Sequence, residues 1–221
     1  MAFRAFWCSS VSYGSWARGK RIIILCEGDT EELAVRYFIF RQWVHEGRNA
    51  IGLHPINLRG RLQDVPLKAA MFLDEPDVLG VFTLIDLYGM DRVAHHNDDD
   101  LRAKIERVCG WLRSGLQHPR SSVFFPYLSV HDTEALILAE GIALGRRLAD
   151  TSIRPDANAE LKNLAKPPQR LIHDLFVSRK GDRYHKIKDG RPLFASLQFE
   201  PVYTTCLHFR EFYDALRRTA S

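Results

Sequence analysis

The sequence predicts an α/β protein: a mainly parallel sheet flanked by helices, continued on its C-terminal side by a helical extension. Three observations lead there. The runs Arg21–Cys26, Val81–Ile85 and Phe124–Val130 are largely apolar, as strands buried on both faces should be. Segments with helical spacing of apolar residues separate them, and such strand–helix alternation implies parallel strands joined by crossover helices. An acidic residue then stands where each run ends: Glu27, Asp86, and Glu134 just past the last. In an open parallel sheet the carboxyl ends of the strands form the ligand crevice, so the three carboxylates are expected at one edge.

The elements follow in order. Arg21–Cys26 is the first strand. Thr30 is placed to cap the next helix, whose apolar residues are Leu33, Val35, Phe38, Ile39 and Trp43. Residues 51–58 read as the second strand, 63–73 as a helix and 77–85 as the third strand. A loop rich in His and Asp follows, His95-His96-Asn97-Asp98-Asp99-Asp100, then an amphipathic helix through Leu101, Ile105, Val108 and Leu112. Residues 122–130 read as the fourth strand, and a helix starts at Glu134. Beyond about residue 140 the alternation stops. Residues 154–169 read as a loop with Pro155, Pro167 and Pro168, 170–177 as a short helix and 204–218 as a terminal helix. The expected division is a tail over 1–20, disordered or lying ahead of the natural start, an α/β core over 21–140 and a helical extension over 141–221.

Composition narrows the function classes. A hydrophobic fraction of 46% in 221 residues is enough for a real core. A formal charge of +4 permits a nucleic-acid partner without requiring one. No apolar stretch approaches the roughly 20 residues that span a bilayer, and no secretory signal is legible in the first 20 residues. The cysteines Cys8, Cys26, Cys109 and Cys206 form no CxxC pair. Reduced thiols in a cytoplasmic protein are the simplest reading.

Three constellations carry chemistry. In Glu27-Gly28-Asp29-Thr30-Glu31-Glu32 the glycine permits a tight turn after the strand, and Glu31 lies one helical turn beyond Glu27. Two such carboxylates can share a hard cation, or one can bind while the other moves protons. Acids also favour a helix's first turn through its dipole, the bland alternative. Asp86, in Ile85-Asp86-Leu87-Tyr88-Gly89, is either a metal ligand or a turn cap. His131-Asp132-Thr133-Glu134 offers further ligands or a base; alternatively His131 is a core histidine and Asp132 a cap. Clustered carboxylates repel one another unless a cation neutralises them. Lys186 and Arg170 are basic residues able to hold phosphate, with solvated surface as the alternative. Cys206 and His208 alone make no zinc site.

The ordered set, Glu-Gly after the first strand and acids after the third and fourth, resembles the TOPRIM-like superfamily of topoisomerases, primases and overcoming-lysogenization-defect nucleases. More closely, the chain resembles the bacterial family called domain of unknown function 4276. CEGDTEELAV at 26–35, FTLIDLYGM at 82–90, FPYLSVHDTEALILAE at 125–140, KPPQRLIHDLF at 166–176, YHKI at 184–187 and CLHFREFYDAL at 206–216 carry that resemblance. It implies a TOPRIM-like fold, Mg²⁺ or Mn²⁺ dependence, and bacterial defence work alongside an ATPase. Two positions depart from the pattern. Tyr88 replaces the second acid of the usual Asp-x-Asp pair, with Asp91 or Asp132 as candidate substitutes. Asp132 itself stands where the close family often has Glu.

Two functions are therefore expected to compete. One is a metal-dependent nuclease or phosphotransfer enzyme acting on nucleic acid. In it Glu27, Asp86, Asp132 and Glu134 hold the metal, Glu27 and Glu31 serve catalysis, and Arg170 and Lys186 hold the substrate backbone. The other is a non-catalytic binding or regulatory subunit of an ATPase complex, favoured by loss of the Asp-x-Asp pair.

Overall fold

The computed structural model describes residues 19–90, 100–130, 132–161 and 166–221; at positions 88 and 89 only the backbone is described. Most of the 1–20 tail, Asp91, His95–Asp99 and His131 therefore lie outside the described residues.

The chain opens with β1 (Arg21–Cys26) and then runs as one helical rod. The rod comprises α1 (Asp29–Leu33), a π-helical stretch (Ala34–Ile39) and α2 (Phe40–His45). It returns to β2 (Gly52–Asn57), and α3 (Val65–Leu73) leads to β3 (Val78–Asp86). After the one-turn α4 (Leu87–Met90) come α5 (Leu101–Ser114), β4 (Phe124–Phe125) and β5 (Leu128–Ser129). The remainder is helical: α6 (Ala135–Glu140), α7 (Ile142–Leu148), α8 (Pro168–Lys180), α9 (Lys186–Ser196), α10 (Phe199–Thr205) and α11 (Leu207–Thr219).

All described strand pairs are parallel, in the order β2-β1-β3-β4, with β5 joining β3 beyond β4. The central strand β1 is buried on both faces. Ile22, Ile24 and Cys26 enter one apolar cluster, with the rod and the C-terminal helices, while Ile23 and Leu25 enter another, with α3 and α5. That alternation is the two-residue period of a strand. The chain leaves β1 toward β2 and then crosses back to place β3 on the other side of β1. The sheet's topological switch point therefore lies between β1 and β3, where open α/β sheets leave a crevice at the strands' carboxyl ends.

Several elements differ from expectation. The anticipated fourth strand is two short ones, because Pro126 has no N–H to continue the ladder. Thr83 repairs the break: its hydroxyl donates to Tyr127 O (2.7 Å) and accepts from Tyr127 N–H (2.9 Å). The terminal helix begins at Leu207 rather than 204, and α10 precedes it. A 3₁₀ turn (Ala159–Leu161) interrupts the expected loop, and α8 is longer than anticipated at both ends. α7 and α9 fall within the expected helical extension, at positions where the sequence pattern marks no individual helix. Gly190 and Pro192 weaken any helical signal over α9; it is held by packing against α1 and the π-helical stretch. No helix among the described residues is long and apolar enough to cross a membrane.

The C-terminal helices pack on the sheet directly. Phe212 of α11 meets Phe82 edge-on (centroids 6.0 Å, 86°) and Tyr127 likewise (5.6 Å, 74°). Phe82, Phe212, Tyr213 and Phe176 share one cluster with Ile22 and Ile24.

Candidate functional site

Five carboxylates meet at the carboxyl ends of β1, β3 and β5. Glu27 leaves β1 and Asp86 ends β3, and the Asp86 N–H donates to Glu27 Oε2 (3.1 Å) across the switch point. Thr133, beyond β5, donates to Asp86 Oδ1 twice, through N–H (3.1 Å) and hydroxyl (3.0 Å). Glu134 is fully buried, and its Oε1 accepts from the Thr30 hydroxyl (3.3 Å). Asp132 Oδ2 accepts the Gln169 N–H at the start of α8 (3.0 Å). Glu31 Oε2 accepts the Gly28 N–H (2.8 Å).

Thr30 thus does not cap α1. Gly28 is the N-cap residue, and Glu31 reaches back to its N–H, satisfying one of the orphan donors of the helix start. Glu31 therefore serves the helix start through this hydrogen bond, while its charge also bears on Asp86, Asp132, Glu134 and Glu27.

Lys186, the first residue of α9, is the counter-charge. Its Nζ lies 3.8 Å from Glu134 Oε1, with the side chain 43% exposed. Burial works to lower its pKa, yet Glu134, Asp86, Glu31 and Asp132 together raise it. Arg170 sits apart: its exposed side chain pairs with Asp174 on α8 (3.5 Å), one residue past the Gln169 amide that holds Asp132.

One ammonium cannot neutralise five acids. Burial, then the charge of Glu31, raises the pKa of Glu27. Burial likewise raises Glu31, and raises Asp86 well above the usual carboxylate range with the charges of Glu31 and Glu134 adding to it. Asp132 is pushed up to about 6 by burial, and Glu134 to about 8 by burial and then the charge of Asp132. Burial and mutual repulsion therefore both favour the protonated forms of these carboxyls.

The donor set is all oxygen, which suits a hard divalent cation. Each acid has one oxygen held by the hydrogen bonds above. Asp132 Oδ1 and Glu134 Oε2 are buried with no hydrogen-bond partner among the described residues. Such orphans cost about 1–3 kcal/mol each unless a bound group satisfies them. These features fit a cation. Among the described residues, however, no three Asp, Glu, His or Cys side chains already converge tightly enough to hold one ion. A cation held by three of them would need their side chains to rotate about the anchored oxygens.

Sequence reasoning passed over Thr30, Thr133 and Tyr184 as parts of this site. The threonines carry no charge to draw notice, yet they fix Glu134 and Asp86. Tyr184 is 7% exposed, and its hydroxyl has no partner among the described residues. Burial and the charges of Glu134, Asp189, Asp132 and Glu31 raise its pKa.

The family model for Domain of unknown function (DUF4276) matches residues 26–217, and the chain belongs to that family. No curated protein matches the sequence. Among solved structures, the C-terminal region of the Burkholderia pseudomallei OLD protein is 14% identical, with 90% of this chain and 98% of that chain covered and a TM-score of 0.43. The C-terminal region of the Xanthomonas campestris pv. campestris OLD protein, phased with mercury, is 15% identical over 90% of this chain and 98% of that chain, with a TM-score of 0.40. Both superpositions are loose, and no property of the acid cluster is carried over from them.

Proposed function

We propose that this DUF4276 protein is a divalent-metal-dependent nuclease or related phosphotransfer enzyme acting on nucleic acid, with a TOPRIM-like core and Mg²⁺ or Mn²⁺ as cofactor. The observation that carries the reading is five acids anchored at one sheet edge, two of them with buried, unpartnered oxygens. A cluster built only for stability would not hold so many repelling groups in one place. Asp86, Asp132 and Glu134 would hold the cation together with Glu27. A divalent cation there supplies a lowered pKa for water and neutralises charge on the phosphoryl oxygens.

The chain's own residues supply the rest. Glu27 is half-buried, and burial raises its pKa, a shift in the direction that suits a proton-accepting role. Glu31 steadies the turn at Gly28 that aims Glu27. Lys186 stands at the open side of the cluster, where its ammonium can transfer from Glu134 to a phosphate. Arg170 lies farther out and would contact the backbone away from the reacting group. The family resemblance adds an ATPase partner and bacterial defence as the setting.

A second reading has its own support. With Lys186 set against Glu134, and no three acids converged on one point among the described residues, the site also suits a non-catalytic subunit that docks on an ATPase. The experiment is a cleavage assay on single- and double-stranded DNA and RNA with Mg²⁺ or Mn²⁺, with and without a candidate ATPase partner. The enzyme reading expects cleavage by the parent and a loss of at least about 100-fold in Glu27→Gln. No cleavage under any condition selects the subunit reading.

A further inference from the structure

Tyr184 immediately precedes His185, the N-cap residue of α9, and its ring packs on Phe176 (centroids 5.4 Å). That contact would hold a phenylalanine equally well. The hydroxyl is the unexplained part. It is buried, has no partner among the described residues, and lies where Gly190 leaves room: a Cβ on Gly190 would stand 3.1 Å from it. Glycine inside a helix costs roughly 1 kcal/mol relative to alanine, so the space carries an energetic cost. Buried tyrosine hydroxyls ordinarily find partners. Of the acids whose charge bears on this hydroxyl, Glu134 foremost, two have a buried oxygen in the same condition: Glu134 Oε2 and Asp132 Oδ1.

We propose that Tyr184 is a positioning residue of the cation site: its hydroxyl donates to the Glu134 carboxylate when that group rotates to bind a divalent cation, fixing its orientation. This rests on the metal-binding part of the function proposed above. Ligating carboxylates are themselves held by hydrogen bonds, and removal of such a partner typically weakens metal binding by about 10–100-fold. Glu134 Oε1 already has Thr30 and Lys186, so the missing donor is the one for Oε2. Gly190 serves the same purpose by leaving the hydroxyl its space.

The test is Mn²⁺ binding by calorimetry, with melting temperature, on the full chain carrying Tyr184→Phe, Gly190→Ala or both. The metal-free melting temperature of Tyr184→Phe should equal or exceed the parent's, because an unsatisfied buried hydroxyl is removed. Its Mn²⁺ affinity should fall about 10-fold or more. Gly190→Ala should weaken Mn²⁺ binding while favouring the helix, and its effect should largely vanish when Tyr184 is already Phe. If the parent binds Mn²⁺ and Tyr184→Phe binds it equally well, the role of Tyr184 is overturned while the metal site stands. If Tyr184→Phe instead melts well below the parent without metal, the hydroxyl has a structural partner and the proposal fails. If the parent binds no Mn²⁺, the metal-site reading fails and takes this inference with it.

Discussion

Lys186 has two tasks that pull in different directions. In the metal-free protein its ammonium offsets part of the charge of Glu134, Asp86, Glu31 and Asp132. A bound cation would meet that same positive charge as repulsion. Removing it, as in Lys186→Met, should therefore tighten Mn²⁺ binding by about fivefold, the equivalent of about 1 kcal/mol for a screened pair near the surface. Cleavage should nonetheless fall, because the phosphate loses its partner. Calorimetry paired with the cleavage assay checks both halves. Weaker Mn²⁺ binding in Lys186→Met would mean that the lysine organises the acids rather than competing with the ion.

Other residues explain how the acids became legible in the sequence while their supports did not. A carboxylate ending an apolar strand stands out because charge is costly in such a setting. Glu27, Asp86 and Glu134 were readable on that ground, and the structure brings them to one edge. Thr30 was legible only as a cap, since the local rule for a helix start cannot know that Glu134 arrives from 104 residues away. Tyr184 was invisible for a related reason: its meaning depends on the missing side chain of Gly190 and on orphaned oxygens distant in sequence.

At the scale of elements, local pattern located the strands best where burial is two-sided. β1 matches its expected bounds, Arg21–Cys26. The apolar run 122–130 suggests one continuous strand, but Pro126 divides it into β4 and β5, as proline in a strand marks an edge or a bulge. Thr83 makes the interruption tolerable by standing in for the lost ladder bonds. Thr83→Val keeps the shape and leaves the Tyr127 N–H and C=O unsatisfied, so it should cost about 1–3 kcal/mol. Urea unfolding measures this; an unchanged midpoint and slope would mean that the pairing contributes nothing. The helices after residue 140 were harder to read because tertiary packing, not propensity, decides them. α9 carries both Gly190 and Pro192 and still forms, pressed against α1.

For the whole molecule, the acid cluster sets a pH dependence of stability. Glu134 has a folded pKa of about 8 against an ordinary 4.5, and Asp132 about 6 against 3.8. Groups whose pKa rises on folding contribute stability that is present below the unfolded value and lost as pH rises through the folded one. Between these limits the folded state holds protons that the unfolded chain has released. Glu46 acts oppositely. Burial alone would raise its pKa, but hydrogen bonds from Arg217 and Gln42 hold it down at about 2, so its contribution is lost only as pH falls from 4.5 toward 2. The metal-free protein should therefore melt higher at about pH 5 than at about pH 8. Saturating Mn²⁺ should raise the melting temperature most at the alkaline end, where the acids are readiest to ionise. A flat metal-free profile from about pH 5 to 8 would mean that the cluster is not strained by its own charge.

The measurement that tests the central claim most directly is a Mn²⁺ titration of the parent and Asp86→Asn by calorimetry at about pH 7.5. Asp86 is the acid on which the others' charges converge, and Thr133 already holds one of its oxygens. Asparagine keeps its shape and an acceptor but removes the charge. The account predicts saturable binding of Mn²⁺ by the parent, with proton release, and affinity lower by at least about 10-fold in Asp86→Asn. No binding by the parent, or equal binding by the two proteins, would contradict it.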